Sequence, residues 1–227
     1  MRTEFNICFY HNLGSDGICA AWVVKNAVSN SNDLKMVRSQ SIFTNHTCDC
    51  KNADIICVDV IPCKELLLLM LEICNSFTIL DHHKTNKKIL GTIEHDNLTT
   101  VFDMTRSGCQ IAWDYFHESE RPWFLDYIAD RYLWAWKLPN SKEINVGLHE
   151  LGYNTIDKFD ELVINNNTEI IESIRKFGED KLTLDNIIKE IKFETSLFNK
   201  SPYIFYIFIP IIVFIIMLVM ILIRVFN

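Results

Sequence analysis

Short apolar runs alternate with helical patterns along the first half of the chain. Phe5 to Tyr10 is apolar and β-rich, and it feeds the loop HNLGSDG; the ICAAWVVKNAV that follows has the small and apolar residues of a helix lying on a sheet. Leu34 to Arg38 reads as a second strand. Asp54 to Val60, DIICVDV, is the near-continuous apolar run of a buried parallel strand. Pro62 then opens a helix through Ile73, as proline can in a first turn, and Phe77 to Leu80 is a fourth strand ending on DHHK. This rhythm predicts an α/β fold with a mostly parallel sheet flanked by helices. From about residue 106 the pattern turns helical, in RSGCQIAWDYF, PWFLDYIADRYLWAW and EINVGLHEL. Two further helical patterns cover roughly 156–177 and 183–197, while Asn165-Asn166-Asn167 reads as a loop.

The run from Tyr203 to Ile223 carries no charge, and Lys200 and Arg224 flank it. At about 1.5 Å per residue such a run is long enough to cross a bilayer core of roughly 30 Å. It predicts a single-pass C-terminal anchor with the lipid bilayer as a partner. Residues 1–10 lack the apolar core of a signal peptide, so the preceding domain is expected on the cytosolic side. The organisation that follows is a catalytic domain over 1–152, a helical linker over 153–200 and a transmembrane helix over 201–224. Cys8, Cys57, Cys74 and Cys109 sit in apolar contexts and read as small core hydrophobes in a reducing compartment. Cys48 and Cys50 form a lone C-x-C with no second pair at zinc-like spacing. The 227 residues allow one good domain with an addition. A net charge of −7 argues against a broad basic surface for long nucleic acid and leaves small phosphorylated substrates open.

Candidate chemistry gathers at strand ends. His11 follows the first strand, Asp59 lies near the end of the third, and Asp81, His82 and His83 follow the fourth. Open α/β sheets collect ligands at that edge. Carboxylates with some imidazole suit Mn²⁺ or Mg²⁺, and two such ions about 3.5–4 Å apart can share a carboxylate, for which Asp59 is the best candidate. As an alternative, Asp59 caps the helix near Pro62.

The ordered set YHNLGSDGICAAW, Asp59 in ICVDV, DHHKT at 81–85 and Asp130 in IADRYLW resembles the DHH phosphoesterase superfamily over roughly residues 5–150. That resemblance implies a hydrolase with two Mn²⁺ or Mg²⁺ ions. His11, Asp16 and Asp59 would hold one ion, and Asp59, His82 and Asp130 the other. Asp81 would orient a neighbouring imidazole, and His83 would face the substrate as a donor to phosphate or leaving group. Arg106, in a segment that faces the crevice in similar proteins, would clamp phosphate at a helix start; a capping role for that segment, through Ser107 or Thr105, is equally open.

The chain departs from the pattern at Ile18 and at Tyr132, where relatives carry aspartates; Asp126, one turn before Asp130, is a possible substitute. The glycine-rich substrate-gripping motif of such enzymes is also missing, so recognition of a nucleotide end would come from a partner, from a homodimer, or not at all. The implied function is hydrolysis of a phosphodiester or phosphoanhydride in a nucleotide, a short oligonucleotide or another small phosphorylated compound. The alternative is a weakened domain serving as a membrane-displayed scaffold. His46, His95, His117 and His149 have no partner pattern, and Trp123, Trp134 and Trp136 read as helix packing.

Overall fold

A computed structural model describes residues 4–39, 48–198 and Met217. Strands β1 (Ile7–Tyr10), β2 (Lys35–Arg38), β3 (Asp54–Val58), β4 (Ser76–Asp81) and β5 (Leu98–Phe102) form one sheet in the order β2-β1-β3-β4-β5. Every neighbouring pair is parallel, as expected for a chain that crosses over through helices. β5 was not anticipated from the sequence. LTTVF is an edge strand with two exposed threonines, and it lacks the continuous apolar character of β3 and β4.

The helices are α1 (Ser15–Ala27), α2 (Lys64–Leu71), α3 (Lys84–Leu90), α4 (Gly108–Phe116), α5 (Trp123–Tyr132), α6 (Ser141–Glu150), α7 (Phe159–Ile164) and α8 (Thr168–Phe198). Short 3₁₀ turns cover Cys48–Cys50 and Ile156–Lys158. Pro62 lies just ahead of α2, whose cap position is Cys63. Contacts divide the chain into two compact units, 1–179 and 180–227.

Period-two alternation of the strands feeds two cores. Cys8, Tyr10, Ile56, Val58 and Leu80 point to one face, where Trp22, Ile111, Phe124, Leu148 and Phe159 cover them. Ile7, Phe9, Ile55, Cys57, Phe77 and Ile79 point to the other, under Leu67, Met70 and Leu71. The central strands are buried on both faces, which is why they read as unbroken apolar runs. Cys8, Cys57, Cys74 and Cys109 are buried free thiols, and burial raises the Cys8 thiol far above its ordinary range.

Three expectations need comment. The membrane anchor is corrected: among the described residues no helix is long and apolar enough to cross a membrane. The longest helix, α8, interleaves Glu172, Arg175, Glu179 and Lys181 with its apolar positions, and such charges are costly within a bilayer. The run 203–223 lies outside the described residues, Met217 excepted, as does His46. Trp123 packs edge-on against Phe124 and Tyr127 as expected, but Trp134 does not pack in a helix. It stands 80% exposed beyond the end of α5, with a left-handed backbone.

Phe77 is fully buried in the second core. Phe77→Ala is expected to lower unfolding stability by about 3–5 kcal/mol, read as a fall in the urea midpoint with an unchanged slope.

Candidate metal centre

Strand register assembles the centre. Tyr10 pairs with Val58, and Val58 with Leu80. His11 and Asp59, which follow β1 and β3, therefore leave the sheet side by side at one edge, next to Asp81, the last residue of β4. The ladder runs slightly past the strands: the His11 amide donates to the Val58 carbonyl at 3.4 Å and the Asp59 amide to the Leu80 carbonyl at 3.0 Å.

Asp59 is the pivot. Its φ is +58°, a left-handed conformation uncommon for a residue with a side chain and most often retained where function demands it. The carboxylate is buried. His11 Nδ1 lies 3.2 Å from its Oδ2. His82 Nε2 and His83 Nδ1 approach Oδ1 at 3.2 and 3.7 Å, yet neither is aligned for a hydrogen bond, and this buried oxygen has no hydrogen-bond partner. Gly17 and Gly108 crowd the same carboxylate. A Cβ at Gly17 would stand 2.8 Å from Oδ2 and would collide with the His11 carbonyl, and one at Gly108 would stand 2.8 Å from the Asp59 Cβ.

Asp16 is fully buried beside it, with Oδ2 3.5 Å from His82 Nε2. Its carboxylate also accepts the amides of Gly108 and Cys109, both at 2.8 Å. It thus occupies the N-terminus of α4 and satisfies two amides that a helix leaves unpaired. Ser107 caps the same helix in a capping box with Gln110. Burial raises the Asp16 pKa, and the charge on Asp59 adds to the rise. For Asp59 burial pushes upward too, but the three histidines outweigh it and its pKa falls.

Asp81 closes the back of the centre. Fully buried, it accepts from His83 Nδ1 at 2.8 Å and from the Asn86 side-chain amide at 2.8 Å, which fixes the His83 ring. The Asp81 hydrogen bond lifts the His83 pKa to about 8 against the pull of burial. For His82, burial acts downward, and Asp59 and Asp16 reverse it to a net rise. Asp59, His82 and His83 offer ligand atoms that all lie within 4.8 Å of one another and can hold a metal ion. The donor set fits a divalent cation: two adjacent buried carboxylates, imidazoles around them, and one buried oxygen without a hydrogen-bond partner.

Two sequence candidates are placed elsewhere. Asp130 accepts the amides of Lys137 and Leu138 at 2.9 and 3.2 Å, so both oxygens hold the turn that follows α5. Burial resists its charge, but these bonds with Ser141 keep its pKa low. Arg106 pairs with Asp103 at 2.7 Å and Asp114 at 2.8 Å, within an ion-pair network that continues to Arg121. The Arg106 guanidinium, expected as a phosphate clamp, is thus engaged by two carboxylates. Asp126 binds Gln110 at 2.8 Å and Arg121 at 3.4 Å, and Tyr132 turns inward, its hydroxyl accepting the Ser15 amide at 2.7 Å.

Sequence reasoning missed Asn86, although its place five residues after Asp81, on the first turn of a helix, was available as a signal. It also missed the double hydrogen bond of Asp16 to α4, which spans more than ninety residues and leaves no local trace.

Comparison with known proteins adds a relative without a described activity. The chain is similar to "Uncharacterized protein R106" of Acanthamoeba polyphaga mimivirus, with 28% identity over 162 residues covering 66% of this chain and 38% of that protein. The chain therefore matches well under half the length of that relative. No family model matches the sequence, and no solved structure matches the fold.

His83 provides a pH test in metal-free protein. Its folded pKa of about 8 lies above the ordinary value of about 6.5. The His83–Asp81 pair therefore contributes stability that is fully present below about pH 6.5 and lost as pH rises through about 8. Asp81→Asn should move the NMR titration midpoint of His83 back toward about 6.5 and flatten that part of the stability profile. An unchanged midpoint would refute the pairing.

Proposed function

We propose that the protein is a metal-dependent phosphoesterase of the DHH type. On this reading it hydrolyses a phosphodiester or phosphoanhydride in a nucleotide, a short oligonucleotide or another small phosphorylated substrate. The observation that carries the reading is Asp59: a buried carboxylate on left-handed backbone, one oxygen of which lies 3.2 Å from His82 and 3.7 Å from His83 without an aligned hydrogen bond. A net charge of −7 supports small substrates over long nucleic acid.

Asp59 and His82 would hold a Mn²⁺ or Mg²⁺ ion, with His11 as an adjoining donor; Asp16, whose two oxygens accept amides of α4, would add negative charge beside them. Such an ion supplies a Lewis acid for the phosphoryl group and a nucleophile at neutral pH. His83 is the most exposed of the three rings, its side chain 41% accessible against 31% for His11 and 11% for His82. With Nδ1 fixed on Asp81, its Nε2 is directed to the substrate and donates to a phosphate oxygen or the leaving group. Asp81 keeps that ring in one tautomer and orientation. Because Asp130 is committed to its turn, a second ion would have a thinner donor set than the first.

A second reading has one observation behind it. Arg106 and Asp130 both serve structure, which suits a domain retained for binding rather than turnover.

The purified protein with Mn²⁺ should hydrolyse bis(p-nitrophenyl) phosphate. Asp59→Asn and His82→Ala should abolish both turnover and calorimetric Mn²⁺ binding. His83→Ala should keep Mn²⁺ binding while losing about 10²–10⁴ in kcat, and Asp81→Asn should lose about 10–100-fold. Absence of turnover above the Asp59→Asn background, together with no Mn²⁺ binding, would sink the phosphoesterase reading.

A further inference from the structure

The loop that carries His11 and Asp16 has a second side. Its middle residues, from Asn12 to Ser15, line a cleft of about 260 Å³ together with Ile18, Arg131, Tyr132, His149 and Asn154. Among the described residues none of the lining side chains is acidic, although the chain as a whole carries a net charge of −7. Glu150 stands 3.6 Å from His149 Nδ1; the other polar groups of the lining are positive or neutral, and a concave site with that balance concentrates anions.

Arg131 sets this cleft apart. Two other arginines are consumed by carboxylates, Arg106 by Asp103 and Asp114, and Arg121 by Asp114 and Asp126. Arg131 makes no ion pair among the described residues. Its guanidinium lies 5.9 Å from the centre of the Tyr132 ring, and Tyr132 is itself fixed by the Ser15 amide at 2.7 Å. Contact with an aromatic ring holds a guanidinium while leaving its planar fork of donors available, which suits bidentate recognition of phosphate. Asn12 adds a neutral donor: its Oδ1 accepts from Ser39 Oγ at 3.2 Å, which leaves its amide hydrogens for a ligand. The cleft is smaller than the roughly 300–1,000 Å³ of sites that enclose a drug-sized ligand. It has room for a phosphate and part of an attached sugar.

We propose that this cleft binds a second, unreacted phosphate of the substrate, with Arg131 as its principal donor and Asn12 and His149 beside it. The inference rests on the phosphoesterase reading for its substrate, since the segment from His11 to Asp16, the first turn of α1 included, borders the metal centre at its two ends and lines the cleft with the residues between them. The substrate class is then a small molecule with two phosphate groups, one cleaved at Asp59 and one anchored at Arg131. Tyr132 and Ile18, both uncharged at neutral pH, also line the cleft.

The test uses the full chain and two chromogenic esters, thymidine 5′-(p-nitrophenyl phosphate) with and without a 3′-phosphate. With Mn²⁺, the 3′-phosphorylated ester should show a KM lower by about tenfold or more, the contribution of one charge-assisted pair. Arg131→Ala should erase that preference and leave turnover of the unphosphorylated ester unchanged, and Arg131→Lys should restore part of it. In a second arm, metal-free protein is titrated with thymidine 3′-phosphate. Wild type and Asp59→Asn should bind alike, and Arg131→Ala should bind about tenfold more weakly with an unchanged melting transition. Equal binding by wild type and Arg131→Ala, no binding by wild type, or equal loss in Asp59→Asn would each overturn the anchor. If neither ester is turned over, the phosphoesterase reading fails, and the binding arm still decides whether the cleft is a phosphate site.

Discussion

Everything at the sheet edge is arranged around the unmet hydrogen-bonding capacity of one carboxylate oxygen. Asp59 stands at the end of a strand buried on both faces, where an ionised group is costly unless it is fully paired. Its Oδ2 has His11, but Oδ1 has no hydrogen-bond partner. Left-handed backbone turns the side chain into the crevice, and the close approach of Gly17 and Gly108 leaves it little freedom to move. A protein retains strain of this kind only when the surrounding structure enforces it. Here the enforcement comes from two helix starts that converge on the same carboxylate.

The neighbouring charges are best understood by asking which of them the chain itself satisfies. Asp16 has two backbone amides, Asp81 has His83 and Asn86, Asp130 has the turn at 137–138, and Arg106 has two aspartates. Each is a polar group with its partners supplied from within. Asp59 Oδ1 and the Arg131 guanidinium are different, the first without a hydrogen bond and the second without an ion pair among the described residues. On the proposed reading these two face the two kinds of external charge such a site needs, a cation and an anion.

Legibility in the sequence followed burial and sequence separation. β1, β3 and β4 were readable because both faces of each are covered, and their ends located His11, Asp59 and the Asp81–His83 run. β5 was not, because its edge position leaves two threonines in solvent. α3 was missed for a related reason: KTNKKIL buries no residue and has no apolar stripe. Asp130 sat in the expected motif, yet Trp134 and Trp136 adopt left-handed backbone and fold the chain back so that its amides capture the carboxylate. No residue pattern announces that turn. Arg106 was likewise in a plausible place, and only the spatial approach of Asp103 and Asp114 reveals that its charge is already matched.

The protonation behaviour of the centre and its proposed affinity for a cation have one origin. Asp16, Asp59 and Asp81 create a negative potential that raises the proton affinity of His82 and His83. A divalent ion entering that potential gains about twice what a proton's charge gains at the same place, because Coulomb energy scales with charge. An imidazole nitrogen that ligates a metal must also be unprotonated. On the proposed reading, ion and proton would compete for the His82 nitrogen, which would balance the carboxylates until an ion replaced its proton, while His83 would keep its proton for the substrate. A centre of this kind would keep its buried aspartates compensated with or without an ion, which would allow so much acidic charge to sit at the end of an apolar sheet.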